Sequence, residues 1–328
     1  MRGLDVSYFL RRIGMFFLVV FVAATFNFFI PRLAPGNPIG AITSRMASAS
    51  TGVEHGQEMF DAYRQRFGLD QPLYQQYWTW LSSLLRGDFG YSIRTGRPVL
   101  VEITERLPAT LELAAAATLI AVAIGLPLGL LSAMRPRSRA DVVARIGGLI
   151  GLSLPSFWLG TLIIVFFSLY LRWLPNTGGY VDFVHDPLGN VALIVLPAVT
   201  LGVALAAATM RMTRSAMLDV LSADYVRTAW AKGQSKGAVV WRHALKNALL
   251  PVVTVIGLDL AVLLSGLVVI ETVFNIPGVA RFLVEAVRWR DYPMVQNLVM
   301  FIAFVVVTIN FLVDMLYAAL DPRIKYAD

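Results

Sequence analysis

Long apolar blocks alternate with short polar segments along the whole chain. A helix needs about 20 predominantly apolar residues to cross the hydrocarbon core of a bilayer. Six blocks are of about that length, and they predict six membrane-spanning helices: Ile13–Ile30, Ala109–Met134, Ile146–Leu171, Val191–Met210, Ala248–Ile270 and Met294–Ala319. The pattern therefore predicts an all-α polytopic membrane protein.

The composition agrees with that pattern. Of the 328 residues, 57% are hydrophobic and 15% are charged, and the mean hydropathy is +0.66, whereas a typical soluble domain is about 25% charged. The chain has no cysteine, which excludes disulfides, thiolate metal sites and a cysteine nucleophile. The first apolar run is long for a signal peptide and no clear A-x-A site follows it, so we expect a retained helix.

The distribution of charge predicts the orientation of the helices. If the N-terminus is cytoplasmic, four inside segments hold 16 of the 28 Lys and Arg residues against 6 acidic residues: 1–12, 135–145, 211–247 and 320–328. Basic residues in short loops stay on the cytoplasmic side, so both termini are predicted to lie inside. The net charge of +7 then reflects topology, and nucleic-acid binding explains it less well.

The extramembrane segments are unequal in length. The first span, 13–30, is followed by an outside segment at 31–108, where an amphipathic pattern over 73–85 predicts a surface helix. The core of the protein then runs over 109–319 and contains a long basic cytoplasmic loop at 211–247. The run VARFLVEAVRW, in a later outside loop, predicts a second short helix.

Small residues and prolines recur inside the predicted spans. Gly125 with Gly129, and Gly147 with Gly151, have the GxxxG spacing that lets helix backbones approach closely. Packing within one chain and contact between two copies both account for this spacing. Kinks or breaks are predicted at three prolines: Pro127, Pro155 and Pro197. Helices wrapped round a pathway and a kinked structural bundle both fit such prolines.

The basic stretch DYVRTAWAKGQSKGAVVWRHALKNALLP lies in the cytoplasmic loop and at its end. Its surroundings carry two helical stripes of apolar or small residues: Leu218, Leu221, Tyr225 and Ala229, then Trp241, Leu245 and Leu249. Gly233 is a natural helix terminator, so the pattern predicts two short helices joined by a glycine-containing turn. One interpretation is an anchor lying on lipid headgroups; the other is a protein-docking surface, since docking surfaces favour aromatic and Arg residues.

This stretch resembles the cytoplasmic loop of integral membrane subunits of binding-protein-dependent ABC importers. The signature of that loop is E-A-A, three residues, G, nine residues and I-x-L-P. Here Arg227, Thr228 and Ala229 occupy the E-A-A positions, Gly233 is the glycine, and ALLP closes the motif. The spelling RTAxAKG is that of the dipeptide and oligopeptide branch. Further strings resemble, in order, the B-type permease of peptide importers: FIPRLAPGNP, FGLDQPLYQQYWTWL, RGDFGYS, ERLPATLEL, GLSLPSFWLG, ETVFNIPG, RDYPMVQ and YAALDPR.

The resemblance implies a type I ABC importer permease fold in a prokaryotic inner membrane, with short peptides as cargo; nickel complexes and oligosaccharides are the alternatives. It implies partners: a homologous C-type permease, two ATPases that are separate or fused, an extracytoplasmic binding protein and membrane lipid, but no nucleic acid. ATP and Mg would be bound by the ATPases, so this chain would hold no cofactor. The resemblance also implies an ATPase-coupling site: Asp224, Tyr225, Arg227, Thr228, Ala229, Lys232 and Gly233.

The sequence lacks three motifs that are typical of common enzyme classes. It contains no G-x-x-x-x-G-K-[ST] phosphate loop, and no G-x-S-x-G or H-E-x-x-H motif. Its three histidines, His55, His185 and His243, have no metal-ligand spacing. We therefore expect a non-catalytic transport subunit without a metal site.

Acidic residues inside the spans are the remaining candidates for function. Asp259 lies near the centre of the fifth span, where an ionisable group is costly and normally faces protein or water. It either lines a pathway and meets a cationic part of the substrate, or is a packed aspartate that is hydrogen-bonded to a neighbouring helix or kept protonated. An ion-coupled secondary transporter, the rival class, would use it as an ion site. For Glu112, Asp314, Asn27 and Asn310 we expect structural roles.

Overall fold

The structure is a computed structural model that describes residues 6–33, 71–92, 94–172 and 180–320. Residues 34–70 of the predicted outside segment and the C-terminal residues 321–328 lie outside this range. Parts of three strings that carry the resemblance therefore also lie outside it: FIPRLAPGNP, FGLDQPLYQQYWTWL and YAALDPR.

Helices account for most of the described residues. They are α1 (Val6–Leu33), α2 (Leu73–Leu85), α3 (Val99–Met134), α4 (Arg139–Ser153), α5 (Ser156–Ile163), α6 (Pro187–Leu221), α7 (Asp224–Ala231), α8 (Leu245–Val273), α9 (Val279–Trp289) and α10 (Tyr292–Leu320). A π-helical segment, Ile164–Tyr170, continues α5. An α-helical turn at Lys236–Ala238 and a π-helical segment at Val239–Ala244 lead without a break into α8. The amphipathic helix predicted over 73–85 and the helix predicted from VARFLVEAVRW are both confirmed.

The number of membrane-spanning helices agrees with the sequence pattern. Five of the described helices are long and apolar enough to cross a membrane, and the count is six if α4 and α5 together form one broken span. Several helices extend beyond the predicted spans, since hydropathy marks the apolar part of a helix and not its ends. The second predicted span starts at Ala109, but α3 begins at Val99; the fourth ends at Met210, but α6 continues to Leu221.

The third predicted span is not one straight helix. Its two halves meet at an angle of 102°, and Pro155 lies at the bend between them. A proline disfavours helical backbone at the residue before it, and Leu154 is accordingly extended, with ψ of 127°. Pro127 and Pro197 lie inside the continuous helices α3 and α6, so only one of the three prolines marks a break.

The basic loop also differs from the prediction of two separate short helices. The first, α7, is separate, whereas the second continues from Lys236 into α8, the fifth apolar helix. Ser235 caps its start by accepting a hydrogen bond from the backbone N–H of Ala238 at 3.4 Å.

The chain divides into two compact units, the first of which contains residues 107–281 with the two ends of the chain. Its hydrophobic core lies between α3, α6 and α8, and the fully buried members include Leu113, Ala198, Leu267 and Ile270. Gly125 and Gly129 bring α3 against the backbone of α6: a Cβ at either position would lie 2.6 Å from a carbonyl oxygen of α6. Packing within one chain therefore explains this GxxxG pair.

The second GxxxG pair does not act as a pair. A Cβ at Gly151 would meet Val203 of α6 at 3.4 Å, whereas a Cβ at Gly147 would meet nothing within 4 Å. Gly148, which the spacing did not single out, is the other glycine of α4 that faces α6, with Met210 as its neighbour.

The second unit contains residues 15–106 and 282–305. Here α2 packs on α1 through the buried ring of Tyr77, whose centroid lies 5.2 Å from that of Phe28 in an edge-to-face contact. Asn27 donates a hydrogen bond to the carbonyl oxygen of Gln296 at 2.7 Å, which confirms its structural role. The RGDFGYS segment is fixed to the start of α10, where Ser92 donates a hydrogen bond to the buried carboxylate of Asp291.

Candidate functional site

The predicted coupling site lies on α7, an eight-residue helix between α6 and the helical turn that leads into α8. Asp224 occupies its first turn, where the positive end of the helix dipole favours a carboxylate. The hydroxyl of Thr228 donates a hydrogen bond to the carbonyl oxygen of Asp224 at 3.0 Å, within the helix. A short helix of this kind is marginal alone, so its stability must come from its end and from its packing.

Gly233 ends α7 in the way that its position in the sequence predicts. Its φ is +75°, a left-handed conformation that glycine adopts without strain. Its N–H donates to the carbonyl oxygen of Trp230 at 2.9 Å, and the N–H of Gln234 donates to that of Ala229 at 3.3 Å. These two hydrogen bonds are those of a Schellman motif. These hydrogen bonds end α7 and change the direction of the chain before the next helical turn at Lys236.

One face of α7 is seated on the ends of its neighbours. Val226 and Ala229 are buried against Val239, and Val220 and Leu221 at the end of α6 pack on the same small cluster. The side-chain amide of Asn247 in α8 donates a hydrogen bond to the Tyr225 hydroxyl at 2.8 Å. α7 is therefore in direct contact with the end of α6 and with the beginning of the helix that contains α8.

The opposite face of α7 is open. Asp224, Arg227, Thr228 and Lys232 are exposed, and the side chains of Asp224 and Arg227 keep 96% and 73% of their accessible surface although they form a 3.5 Å ion pair. Two large aromatic rings, Tyr225 and Trp230, are also exposed. An exposed arginine with exposed aromatic rings has the composition of a docking surface.

The structure corrects two positions of the predicted stripes. Tyr225 and Trp241 were placed on the apolar side, yet both are exposed, Trp241 to 66%. Val226 and Val239 are the buried residues instead. The helix is interrupted after Leu221, so the 3.6-residue phase starts afresh at Asp224 and the stripe does not continue from α6 into α7.

Asp259, the other predicted site residue, is not brought together with α7. It lies midway along α8 and is partly buried. Its Oδ2 atom is buried and has no hydrogen-bond partner among the residues that the structure describes. A buried carboxylate oxygen without a partner is costly. No hydrogen bond holds this oxygen to a neighbouring helix among the described residues, and both a pathway aspartate and a packed, protonated one fit this geometry.

Glu112 and Asp314 have structural partners, as expected. Glu112 accepts hydrogen bonds from the Tyr180 hydroxyl at 2.7 Å and from the Asn190 amide at 2.8 Å. Burial, together with the adjacent Glu112 carboxylate, raises the pKa of Tyr180, so the phenol remains a donor at any physiological pH. Asp314 forms an ion pair with Arg12 at 2.7 Å.

Glu271, a buried acid near the C-terminal end of α8, was not identified from the sequence. Glu271 is fully buried and accepts hydrogen bonds from the Thr110 hydroxyl and from the backbone N–H of Arg281, both at 2.7 Å. Burial raises its pKa to about 7 although these hydrogen bonds act in the opposite direction. A Cβ at Gly278 would lie 2.1 Å from the carboxyl group. The glutamate and glycine of ETVFNIPG are thus parts of one structure, which joins α3, α8 and the start of α9.

Comparison with known proteins gives the family. Residues 125–326 match the family described as binding-protein-dependent transport system inner membrane component, and residues 6–114 match the N-terminal part of such membrane components. The chain is 38% identical to the dipeptide transport system permease of Alkalihalophilus pseudofirmus. It is 39% identical to the di/tripeptide transport system permease of Pseudomonas aeruginosa and to the glutathione transport system permease of Escherichia coli. Each match covers 98% of this chain and 99% of the relative.

A solved structure shows the same fold at low sequence identity. A chain in the crystal structure of an amino acid ABC transporter with histidines aligns with a TM-score of 0.50 and 14% identity, over 67% of this chain and 94% of that chain. Family, fold and the spans of the described residues agree with one another. The chain therefore belongs to the family of inner membrane components of binding-protein-dependent transport systems, as one of its permeases.

Proposed function

We propose that this chain is a permease subunit that carries short peptides into the cell in an importer driven by separate ATPase subunits. The observation that carries the proposal is α7: a helix with an open face of charged and aromatic residues, fixed by its other face to the ends of α6 and α8. Such a helix is exposed enough to be bound and firmly enough seated to transmit movement.

The ATPases would bind and hydrolyse ATP with Mg, since this chain has no phosphate loop. Closure of the ATPases on ATP would displace α7. Packed helices move as bodies and have discrete arrangements, so α6 and α8 would follow and open the pathway alternately to the two sides of the membrane.

The cargo is inferred from the relatives. The names of three of them, each about equally similar to this chain, specify a dipeptide, a di/tripeptide and a glutathione transport system. All three cargoes are short peptides. An extracytoplasmic binding protein would deliver the peptide, and a homologous C-type permease would form the other half of the pathway with this chain.

Reconstitution in proteoliposomes tests the proposed function. We expect uptake of a labelled dipeptide only when this chain, the second permease, the ATPases, the binding protein and ATP are all present. Uptake by this chain alone under a proton or sodium gradient would make it a secondary transporter instead. Uptake of a nickel complex or an oligosaccharide, without uptake of peptide, would support the ATP-driven mechanism but contradict the proposal that the cargo is a peptide.

We further propose that Asp259 lines the pathway and binds the cationic end of the peptide. Its buried Oδ2 lacks a hydrogen-bond partner among the described residues, so an ammonium group would satisfy it by a charge-assisted hydrogen bond.

The substitution Asp259→Asn is expected to reduce uptake of a dipeptide with a free amino terminus by about fivefold or more, since a lost interaction of about 1 kcal/mol has that effect. Recovery of the assembled complex should be unchanged. Asp314→Asn, the same substitution at an acid paired with Arg12, is the matched control and should transport normally. Loss of folded protein in Asp259→Asn alone would assign the residue to packing.

A further inference from the structure

Another buried acid, Asp141, lies on the side of the first unit where α7 is found. Asp141, in the first turn of α4, has no accessible surface. Arg214 of α6 binds the Asp141 carboxylate through two nitrogens: Nε donates to Oδ1 at 2.8 Å and Nη2 donates to Oδ2 at 3.1 Å. The hydroxyl of Ser132 also donates to Oδ1, and the backbone N–H of Arg137 donates to Oδ2 at 2.9 Å.

This arrangement satisfies both oxygens of the carboxylate. Removing a carboxylate from water is costly unless its charge and its lone pairs are matched. The planar fork of an arginine fits a carboxylate in a single orientation, unlike a lysine, which is a point charge. The pair therefore fixes both the distance and the angle between the elements that carry it.

The residues around Asp141 come from three helices and the turn between two of them. Ser132 lies near the end of α3, Arg137 in the turn with φ of +62°, Asp141 in α4 and Arg214 in α6. Ser138 caps α4 and accepts a hydrogen bond from the backbone N–H of Asp141 at 3.2 Å. The whole turn between α3 and α4 is thus fixed to α6.

The Asp141–Arg214 pair is connected to α7 through the last two turns of α6. Arg214 is close to the end of α6, and the next buried residues of that helix, Ala216 and Met217, share a core with Val240 and Ala244, which precede α8. The last residues of α6, Val220 and Leu221, pack on α7 itself. Continuous packing therefore connects α7, α6 and the Asp141–Arg214 pair.

We propose that Asp141 and Arg214 form a positioning pair that transmits the displacement of α7 from α6 to the α3–α4 turn. This inference rests on the proposed function of α7. Without the pair, movement of α7 would still reach α6 and α8, but the α3–α4 turn would follow α6 through apolar packing alone, without the fixed angle that the arginine fork imposes. Transport would then be uncoupled from ATP hydrolysis without loss of the fold.

The test measures uptake and ATP hydrolysis in the same reconstituted full transporter, as peptides imported per ATP hydrolysed. The double variant Asp141→Asn with Arg214→Gln removes both charges and leaves neither unpaired. We expect it to assemble and hydrolyse ATP, with the number of peptides imported per ATP reduced about fivefold or more, the size of a modest coupling effect. Arg214→Lys keeps the charge but not the fork, and should recover only part of the ratio.

The matched control is the half-buried ion pair of Arg12 with Asp314, neutralised in the same way as Arg12→Gln with Asp314→Asn. It should keep the wild-type ratio. An unchanged ratio in the Asp141/Arg214 double variant overturns the inference. So does a parallel loss of assembled complex, uptake and hydrolysis in that variant and in Arg214→Lys, which would make the pair purely structural. If wild-type protein shows no ATP-dependent uptake, the proposed function itself fails, so the two failures are distinguishable.

Discussion

Replacing Gly233 with proline is expected to abolish ATP-driven uptake. Proline fixes φ near −65° and has no N–H, whereas Gly233 has φ of +75° and donates a hydrogen bond to Trp230. Both hydrogen bonds that end α7 would be lost with the turn. We expect uptake in proteoliposomes to fall by at least about tenfold, the effect of about 1.4 kcal/mol, with less ATPase recovered in the purified complex. The permease should still insert and fold, since the turn lies outside the core of α3, α6 and α8.

The control is Lys236→Pro, three residues further along the chain. Lys236 is the first residue of the helix that leads into α8, and Ser235 before it is extended, with ψ of 151°. Proline is tolerated at the first helical position, where the N–H has no helical partner. Lys236→Pro should therefore transport nearly as well as the wild type. If Gly233→Pro retains both transport and ATPase recovery, α7 is not the coupling element.

The local features of α7 could be predicted from the sequence because they depend on neighbouring residues. The glycine that ends the helix and the basic, aromatic composition of its surface are set within a dozen positions. The buried face was predicted less well. The stripe was continued from Leu218 through Tyr225, but the turn after Leu221 resets the helical phase and makes Val226 the buried residue. The spacing of apolar residues in the sequence does not show that the helix ends after Leu221.

The buried polar residues could not be predicted, for a different physical reason. Arg214 is 73 positions from Asp141, and Glu271 is 161 positions from Thr110. Such partners depend on how the helices pack. The sequence does offer a partial signal: Ser138 and Asp141 have the S-x-x-D spacing of a helix start, and the structure shows this cap. The signal locates the start of α4 but does not indicate that its acid binds an arginine of α6.

The two GxxxG pairs have the same spacing in the sequence, but only Gly125 and Gly129 both pack closely on α6. Replacing Gly129 with leucine should prevent the permease from folding. A Cβ at this position would lie 2.6 Å from both the carbonyl oxygen of Met210 and the Cβ of Thr213. Backbone cannot move aside as a flexible side chain can, so α3 and α6 would have to separate. We expect a destabilisation of about 3 kcal/mol or more, the upper end of ordinary overpacking.

Gly147→Leu is the matched control, since it places the same side chain at the other predicted motif, where a Cβ would meet nothing within 4 Å. Glycine is a poor helix former, so leucine should leave the stability of α4 unchanged or raise it. The yield of monodisperse protein and its unfolding midpoint in detergent measure both effects. If Gly129 mediated contact between two copies, Gly129→Leu would leave a folded permease and change only its association. Loss of the fold at Gly129 but not at Gly147 would show that close approach of α3 and α6 within one chain requires the glycine.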